Sequence, residues 1–200
     1  MASILRSDLF MESASAIISL LVAYYSMRAY KLTENRSLMH LYYGFSILGT
    51  GMFVRVFSLI YVVMIMANMG GSRNILGLTY TIGVIYGILR IMAYGFFIIA
   101  YTERKKTSTI LPAIFPIILN PYFELIEITM LIYVVIQTLI NFSEKRNINA
   151  MLVLIAFSLL LLSHIAFAFS IINLRFYMVG HILQFTAFLS MLIMLIRIGR

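Results

Sequence analysis

An all-α, polytopic membrane helix bundle is the fold class this sequence predicts, and three observations carry the prediction. Hydrophobic residues make up 62% of the 200 residues and charged residues only 11%, too little charge to clothe a water-soluble domain of this size. The apolar residues come in runs long enough for helices that cross ~30 Å of hydrocarbon, which takes roughly 20 residues each. Short segments of the first half also recur in the same order in the second, the mark of a duplicated unit.

The first run, Leu9 to Tyr30, is longer than a secretory h-region and has no small-residue cleavage motif, so it reads as a retained first span. Five further runs are long enough to cross: Leu38 to Ala67, Ile75 to Tyr101, Tyr122 to Phe142, Asn147 to Asn173 and Phe176 to Ile198. Between the third and the fourth lies Thr107 to Asn120, short, interrupted by Pro112 and Pro116 and closed by the Asn120-Pro121 turn signal. It is a seventh crossing, a re-entrant half-helix or an extended lead-in.

Charge chooses the seventh crossing, because Lys and Arg of short loops collect on the cytoplasmic side. With seven spans, Arg28, Lys31, Arg36, Arg104, Lys105, Lys106, Lys145, Arg146, Arg197 and Arg200 share one side, against Arg6, Arg73 and Arg175. With six, the basic loops divide almost evenly. The expected plan is therefore three helices (1–102), a linker helix (103–121) and three more (122–200), with the N-terminus outside and the C-terminus cytoplasmic. Kinking or local bilayer thinning would absorb the linker's shortness.

The repeat supports the same plan. Thr33-Glu34-Asn35-Arg36 answers Ser143-Glu144-Lys145-Arg146 at a spacing of 110, and after a two-residue slip Leu9-Phe10-Met11-Glu12 answers Pro121-Tyr122-Phe123-Glu124, and Phe57-Ser58-Leu59-Ile60 answers Phe169-Ser170-Ile171-Ile172. Tyr80-Thr81-Ile82-Gly83 matches Tyr177-Met178-Val179-Gly180. A linker helix lets both three-helix units point the same way.

The net charge of +8 sits at helix ends rather than on one face, which argues for topology determinants touching anionic lipid and against nucleic acid. Tyr24, Tyr25, Tyr30, Tyr42 and Tyr43 flank the first cytoplasmic loop as an interfacial belt, and His40 lies beside them. Ser15, Ser19 and Ala23 recur every four positions on the first helix, and Gly83-x-x-x-Gly87 marks the third; both allow close helix approach, within the bundle or at a homodimer face.

Ionisable residues inside spans are costly and need partners or water. At ~1.5 Å per residue, Arg55 lies roughly 27 Å and His164 roughly 26 Å from the cytoplasmic ends of their helices, with His181 about 7 Å below the outer end of the last one. Glu12, Glu124 and Glu127 fall in the outer two turns, and the i,i+3 spacing of the last two puts them on one face. These six form a layer at one depth. Either they snorkel and pair, Arg55 with Glu12 or Glu124, or they line an outward-facing polar cavity for a cation, proton or polar ligand. A divalent metal on His164 and His181 with a Glu is a further option, since imidazole and carboxylate suit zinc or copper. Arg90, about 21 Å from the outer end of its helix, stands apart near the midplane, facing the cleft between the repeats with Tyr80 and Thr81 above it and Gly83 and Gly87 beside it, either a structural arginine bonded to helix carbonyls, Thr81 or Tyr side chains or a group serving an anionic ligand.

Several classes fall away. With no cysteine there are no disulfides, thiolate metal sites or c-type haem attachment. No Ser-His-Asp set, phosphate loop or HExxH is present and no nucleophile accompanies the carboxylates, so no enzyme and no cofactor is expected. What remains is a non-catalytic membrane module, sensor-like or an accessory subunit of a larger complex, or else a small-solute or ion transporter built from two parallel repeats.

The stretch Tyr25-Ser26-Met27-Arg28-Ala29-Tyr30-Lys31, running into Thr33-Glu34-Asn35-Arg36 and then Tyr43-Gly44-Phe45-Ser46-Ile47-Leu48-Gly49, resembles small archaeal three-helix membrane proteins of unknown function, which carry an aromatic-Arg-x-Tyr-basic loop before a Gly-rich second helix. Gly180-His181 fits the same pattern. The resemblance covers about half the chain and implies a membrane unit here duplicated, with no activity attached. The three-one-three plan is similar to that of SWEET sugar transporters, although their Pro-Gln pair is missing, so the likeness is one of topology alone. Microbial rhodopsins share seven helices but need a lysine in the last one, and Phe176 to Ile198 has none.

Overall fold

The structure is a computed structural model that describes residues 2–69, 74–102, 122–170, 172–173 and 175–199. Among the described residues it contains six helices: α1 (Ala2–Thr33), α2 (Arg36–Met69), α3 (Asn74–Thr102), α4 (Tyr122–Lys145), α5 (Ile148–Phe169) and α6 (Arg175–Ile198). All six are long and apolar enough to cross a membrane, which makes this a multi-pass helical membrane protein. The expected spans match these helices closely. The expected seventh, the linker 103–121, lies outside the described residues, as does the alternative of a re-entrant or extended segment at 107–120.

Each helix packs on its neighbours in sequence, and α1 also packs on α6, so the six close into a ring. The polarity of the faces is the reverse of a soluble bundle. On α1 the large apolar side chains Phe10, Ile17, Leu21 and Tyr24 are exposed, while Glu12, Ser15, Ala16, Ser19, Ala23 and Ser26 are buried. Lipid solvates the first set as well as protein would, so close packing of small residues is what holds the helices. The α1–α2 seam shows it: Ser19 Oγ donates to the Phe45 carbonyl at 2.9 Å, and a Cβ on Gly49 would stand 3.2 Å from the Ala16 carbonyl oxygen. The small-residue stripe of α1 thus serves packing inside the bundle.

Side-chain pairs give the direction of each helix. Glu12 meets Arg55 and Ser19 meets Phe45, so α1 and α2 are antiparallel. Arg55 lies over Tyr86 and Phe45 packs on Phe97, which makes α2 and α3 antiparallel. Between α3 and α4 the order is different. Gly87 faces Phe123, Arg90 reaches Glu124 and Glu127, Gly95 faces Met130, and Thr102 meets Tyr133 at 3.1 Å. Numbers rise together, so α3 and α4 run parallel. Phe169 against Phe176 and Ser190 against Leu152 make α5 and α6 antiparallel.

The loops after α1 and after α4 are built alike. Glu34 (φ 53°) and Arg146 (φ 46°) take the left-handed conformation and donate their backbone N–H groups to the Tyr30 and Phe142 carbonyls at 2.7 and 2.8 Å, the usual way a helix end satisfies a carbonyl. Asn35 and Asn147 follow, their side chains accepting from the N–H groups of Ser37 and Ala150, which caps the next helix. Glu34 and Arg146, Tyr30 and Phe142, and Asn35 and Asn147 are each 112 residues apart. The spacing of 110 that aligns Thr33-Glu34-Asn35-Arg36 with Ser143-Glu144-Lys145-Arg146 differs by two from this cap spacing, which matches Glu34 to Arg146. Glu12 and Glu124, and Phe57 and Phe169, are also 112 residues apart.

The interior divides along the bundle. In the half nearer those two loops, buried Phe45, Phe97, Phe157 and Phe188 interlock, with ring centroids 4.7 Å (Phe45–Phe97), 5.7 Å (Phe45–Phe188) and 5.4 Å (Phe97–Phe157) apart. Aromatic edges on faces add to dispersion contact here. The other half holds the charges.

Candidate functional site

Helical spacing puts Tyr86, Arg90 and Tyr94 on one face of α3, four residues apart, and Glu124 and Glu127 on one face of α4. Both faces turn into the seam between α3 and α4, where His164 of α5 completes the group. Arg90 Nη2 donates to Glu124 Oε1 at 2.9 Å and to Glu127 Oε2. His164 Nδ1 lies 2.8 Å from both Arg90 Nη2 and Glu124 Oε2, and 3.2 Å from Glu127 Oε2. His164 Nε2 is 2.5 Å from the Tyr94 hydroxyl. Glu127 and His164 are fully buried, whereas the Glu124 side chain keeps 25% of its surface.

A second pair sits across the bundle. Arg55 Nη1 donates to Glu12 Oε1 at 2.7 Å, and Nη2 donates to the Tyr177 hydroxyl at 3.2 Å. The Tyr86 ring lies between the two arginines, 5.1 Å from the Arg55 guanidinium and 5.2 Å from that of Arg90, where its face attracts both cations. Gly87 lets α4 approach, because a Cβ there would come within 2.8 Å of the Phe123 ring.

These groups floor a cavity of about 580 Å³ lined by Arg55, Tyr86, Arg90, Glu124, Tyr177 and Gln184, among others. Its rim includes Gly83 and Ser170, and Ser170 Oγ is engaged with the Phe167 carbonyl at 2.6 Å. The aromatic layer lies beyond the floor, toward the other end.

The single polar layer expected from helix depths is thus resolved into two groups. Glu12 pairs with Arg55, one of the two pairings expected. Glu124 does not join them: it goes with Glu127 and His164 to Arg90, which was expected to stand apart. The reason is register, since α4 begins level with Gly87 of α3, so its first turns lie deeper than a full-length span would place them. Tyr80 and Thr81 do not cover Arg90; both are exposed, and Thr81 Oγ1 turns back to the Gly77 carbonyl at 2.9 Å. A Cβ on Gly83 would meet no described atom within 4 Å, and Gly83 lines the cavity.

His181 is buried between Phe167 and Tyr177, with ring centroids 5.0 and 4.7 Å away. The His164/His181 metal pair is therefore not formed; the ligand types that do gather are Glu124, Glu127 and His164. Arg90 Nη2 already stands among those three, in the position a cation would take. Tyr86, Tyr94, Tyr177 and Gln184 were missed by the sequence reading. Their signal was present as Tyr86-x3-Arg90-x3-Tyr94 and Tyr177-x3-His181-x2-Gln184, two polar stripes at helical spacing.

Comparison of the chain with protein-family models, with curated proteins and with solved structures finds no match.

Proposed function

We propose that this chain is a non-catalytic membrane module that binds a small polar solute in the cavity between two three-helix units, and that it serves as a sensor-like module or an accessory subunit of a larger membrane complex. One observation carries the reading. The polar groups around the cavity come from both units and hold them together, Arg90 of α3 to Glu124 and Glu127 of α4, and Arg55 of α2 to Tyr177 of α6. A solute that competes for these groups changes how the units pack, which is what a ligand must do to shift a conformational equilibrium.

The units are α1–α3 and α4–α6, related by the 112-residue spacing of their loops and running in the same direction. That direction supports seven crossings. α3 and α4 are parallel, and from Gly87, level with the start of α4, to Thr102 is about 22 Å at ~1.5 Å per residue. The chain must return over that distance between 102 and 122, and nineteen helical residues would reach about 28 Å. The loops after α1 and after α4, the α3 C-terminus and the α6 C-terminus then share the end richest in Lys and Arg, the cytoplasmic one by charge. The cavity opens outside. The parallel-repeat plan is also that expected of the resemblances to archaeal three-helix proteins and, in topology, to SWEET transporters.

The module is tested on the purified protein in lipid nanodiscs by thermal shift against small carboxylates, amines and sugars. A solute at 100 times its Kd stabilises by about 2.7 kcal/mol. Gly83→Phe, which fills the cavity from a position with no neighbour, abolishes the shift while leaving the protein folded. A solute that stabilises wild type and Gly83→Phe equally would place binding elsewhere.

A second reading, transport of that solute or of an ion, is favoured by the parallel duplication, the plan of several carriers. Proteoliposomes separate the two: uptake of the stabilising solute supports a carrier, and binding without uptake supports the sensor or subunit.

A further inference from the structure

We propose that the Glu124, Glu127 and His164 cluster around Arg90 is a proton-binding site holding one exchangeable proton. The first ground is charge. Among the described side chains, two arginines, Arg55 and Arg90, meet three glutamates, Glu12, Glu124 and Glu127, inside the spans. One negative charge is left over, and a net charge buried in a bundle surrounded by lipid is costly. Arg55 and Glu12 balance one another, so the excess lies at Arg90.

The second ground is geometry. Glu127 is fully buried, and its Oε1 meets no hydrogen-bond donor among the described residues. A carboxylate oxygen in that position keeps its desolvation cost, which a proton on the group removes. The contacts of His164 accommodate such a proton in more than one place. With Nδ1 protonated, the ring donates to Glu124 Oε2; with Nε2 protonated as well, it donates to the Tyr94 hydroxyl. With Nδ1 bare, the ring accepts from Arg90, and the neighbouring carboxyl carries the proton instead. The proton moves among Glu124, Glu127 and His164 by small shifts of hydrogen.

The groups facing the cluster are Arg90, Tyr86 and Tyr94 from α3, Glu124 and Glu127 from α4 and His164 from α5, with Arg55, Glu12, Tyr177 and His181 beyond Tyr86 and Phe167. Among the described residues Arg90 is the one cation in direct contact, and it cannot neutralise two carboxylates. Exchange with water has a route, because Glu124 lines the cavity while touching both His164 and Arg90. Toward the other end Tyr94, Phe97, Leu131 and Phe157 are buried and apolar contacts close the path.

Infrared spectroscopy of the protein in nanodiscs tests this, with ¹⁵N-histidine NMR as the companion measurement and Glu34→Gln, in an exposed loop, as the control. A carboxylic-acid C=O band that is lost on raising the pH, and that is absent from Glu127→Gln or Glu124→Gln, is the expected result. An imidazolium signal assigned to His164 instead also bears the proposal out, placing the proton on the ring. Both neutral variants retain the shape of the side chain and relieve the excess charge, so they fold, and in a dye-monitored titration each releases one proton fewer than wild type. Wild type and variants releasing the same number, with neither an acid band nor an imidazolium signal, would overturn it.

Discussion

Removing Arg55 is expected to cost more than removing Glu12, and removing both less than removing Arg55 alone. The pair is 2.7 Å apart, a distance at which unit charges attract by about 6 kcal/mol at an effective dielectric of ~20. Desolvation of several kcal/mol per ion offsets most of that, leaving a coupling of about 1 to 3 kcal/mol. The two single variants are unequal because the side chains are unequally enclosed: Glu12 keeps 2% of its surface and Arg55 23%. Arg55→Met strips a buried carboxylate of its guanidinium, at about 3 to 5 kcal/mol. Glu12→Gln leaves Arg55 with the Tyr177 hydroxyl, the Tyr86 ring and water in the cavity, at about 1 to 3 kcal/mol. The assay is reversible unfolding in mixed micelles as denaturing detergent is titrated in, run as a double-mutant cycle. Single-variant costs that add to within ~0.5 kcal/mol, or a larger loss in Glu12→Gln than in Arg55→Met, would show that the two groups do not act as a buried pair.

Three further outcomes are expected. Arg90→Met lowers stability by about 3 to 5 kcal/mol, and adding Glu127→Met to it restores most of the loss; a double variant weaker than the single one would refute the charge balance. Gly87→Ala, forced against the Phe123 ring, costs about 1 to 3 kcal/mol, whereas Gly83→Ala, with open space around it, is neutral or gains up to about 1 kcal/mol; the detergent melting temperatures of the two decide this. Ser19→Ala loses the bond to the Phe45 carbonyl at about 0.6 kcal/mol, the average for such bonds within membranes, and unchanged stability in Ser19→Val would show that the hydroxyl bond is irrelevant to the α1–α2 seam.

The extents of the six described helices were legible because the apolar runs are long and end in charged or turn-forming residues such as Thr33-Glu34-Asn35-Arg36. Depth along a helix was enough to name Glu12 as one of two partners for Arg55, the one formed, since α1 and α2 are joined by a two-residue loop that fixes their register. It was not enough for Glu124. No short loop ties α4 to α3, so the offset that brings Glu124 and Glu127 down to Arg90 is set by packing, chiefly Phe123 on Gly87, which a sequence does not announce. Tyr86 and Tyr94 were passed over because tyrosine in a membrane chain is read first as an interfacial anchor. Their spacing of four on either side of Arg90 was the better guide. The metal pair failed for a related reason: two histidines at similar depth need not face each other, and His181 faces Phe167 and Tyr177 while His164 faces Arg90.

The proposed parallel arrangement of two three-helix units is tested most directly by cysteine accessibility, which this cysteine-free chain makes clean. Asn35→Cys and Asn147→Cys lie in the two equivalent loops, and Asn173→Cys lies between α5 and α6 at the other end. A membrane-impermeant maleimide applied to intact cells is expected to label Asn173→Cys alone, with Asn35→Cys and Asn147→Cys both labelled only after permeabilisation. Labelling of Asn35→Cys and Asn147→Cys from opposite sides would mean that the chain does not recross between α3 and α4, and would contradict the parallel plan on which the shared cavity rests.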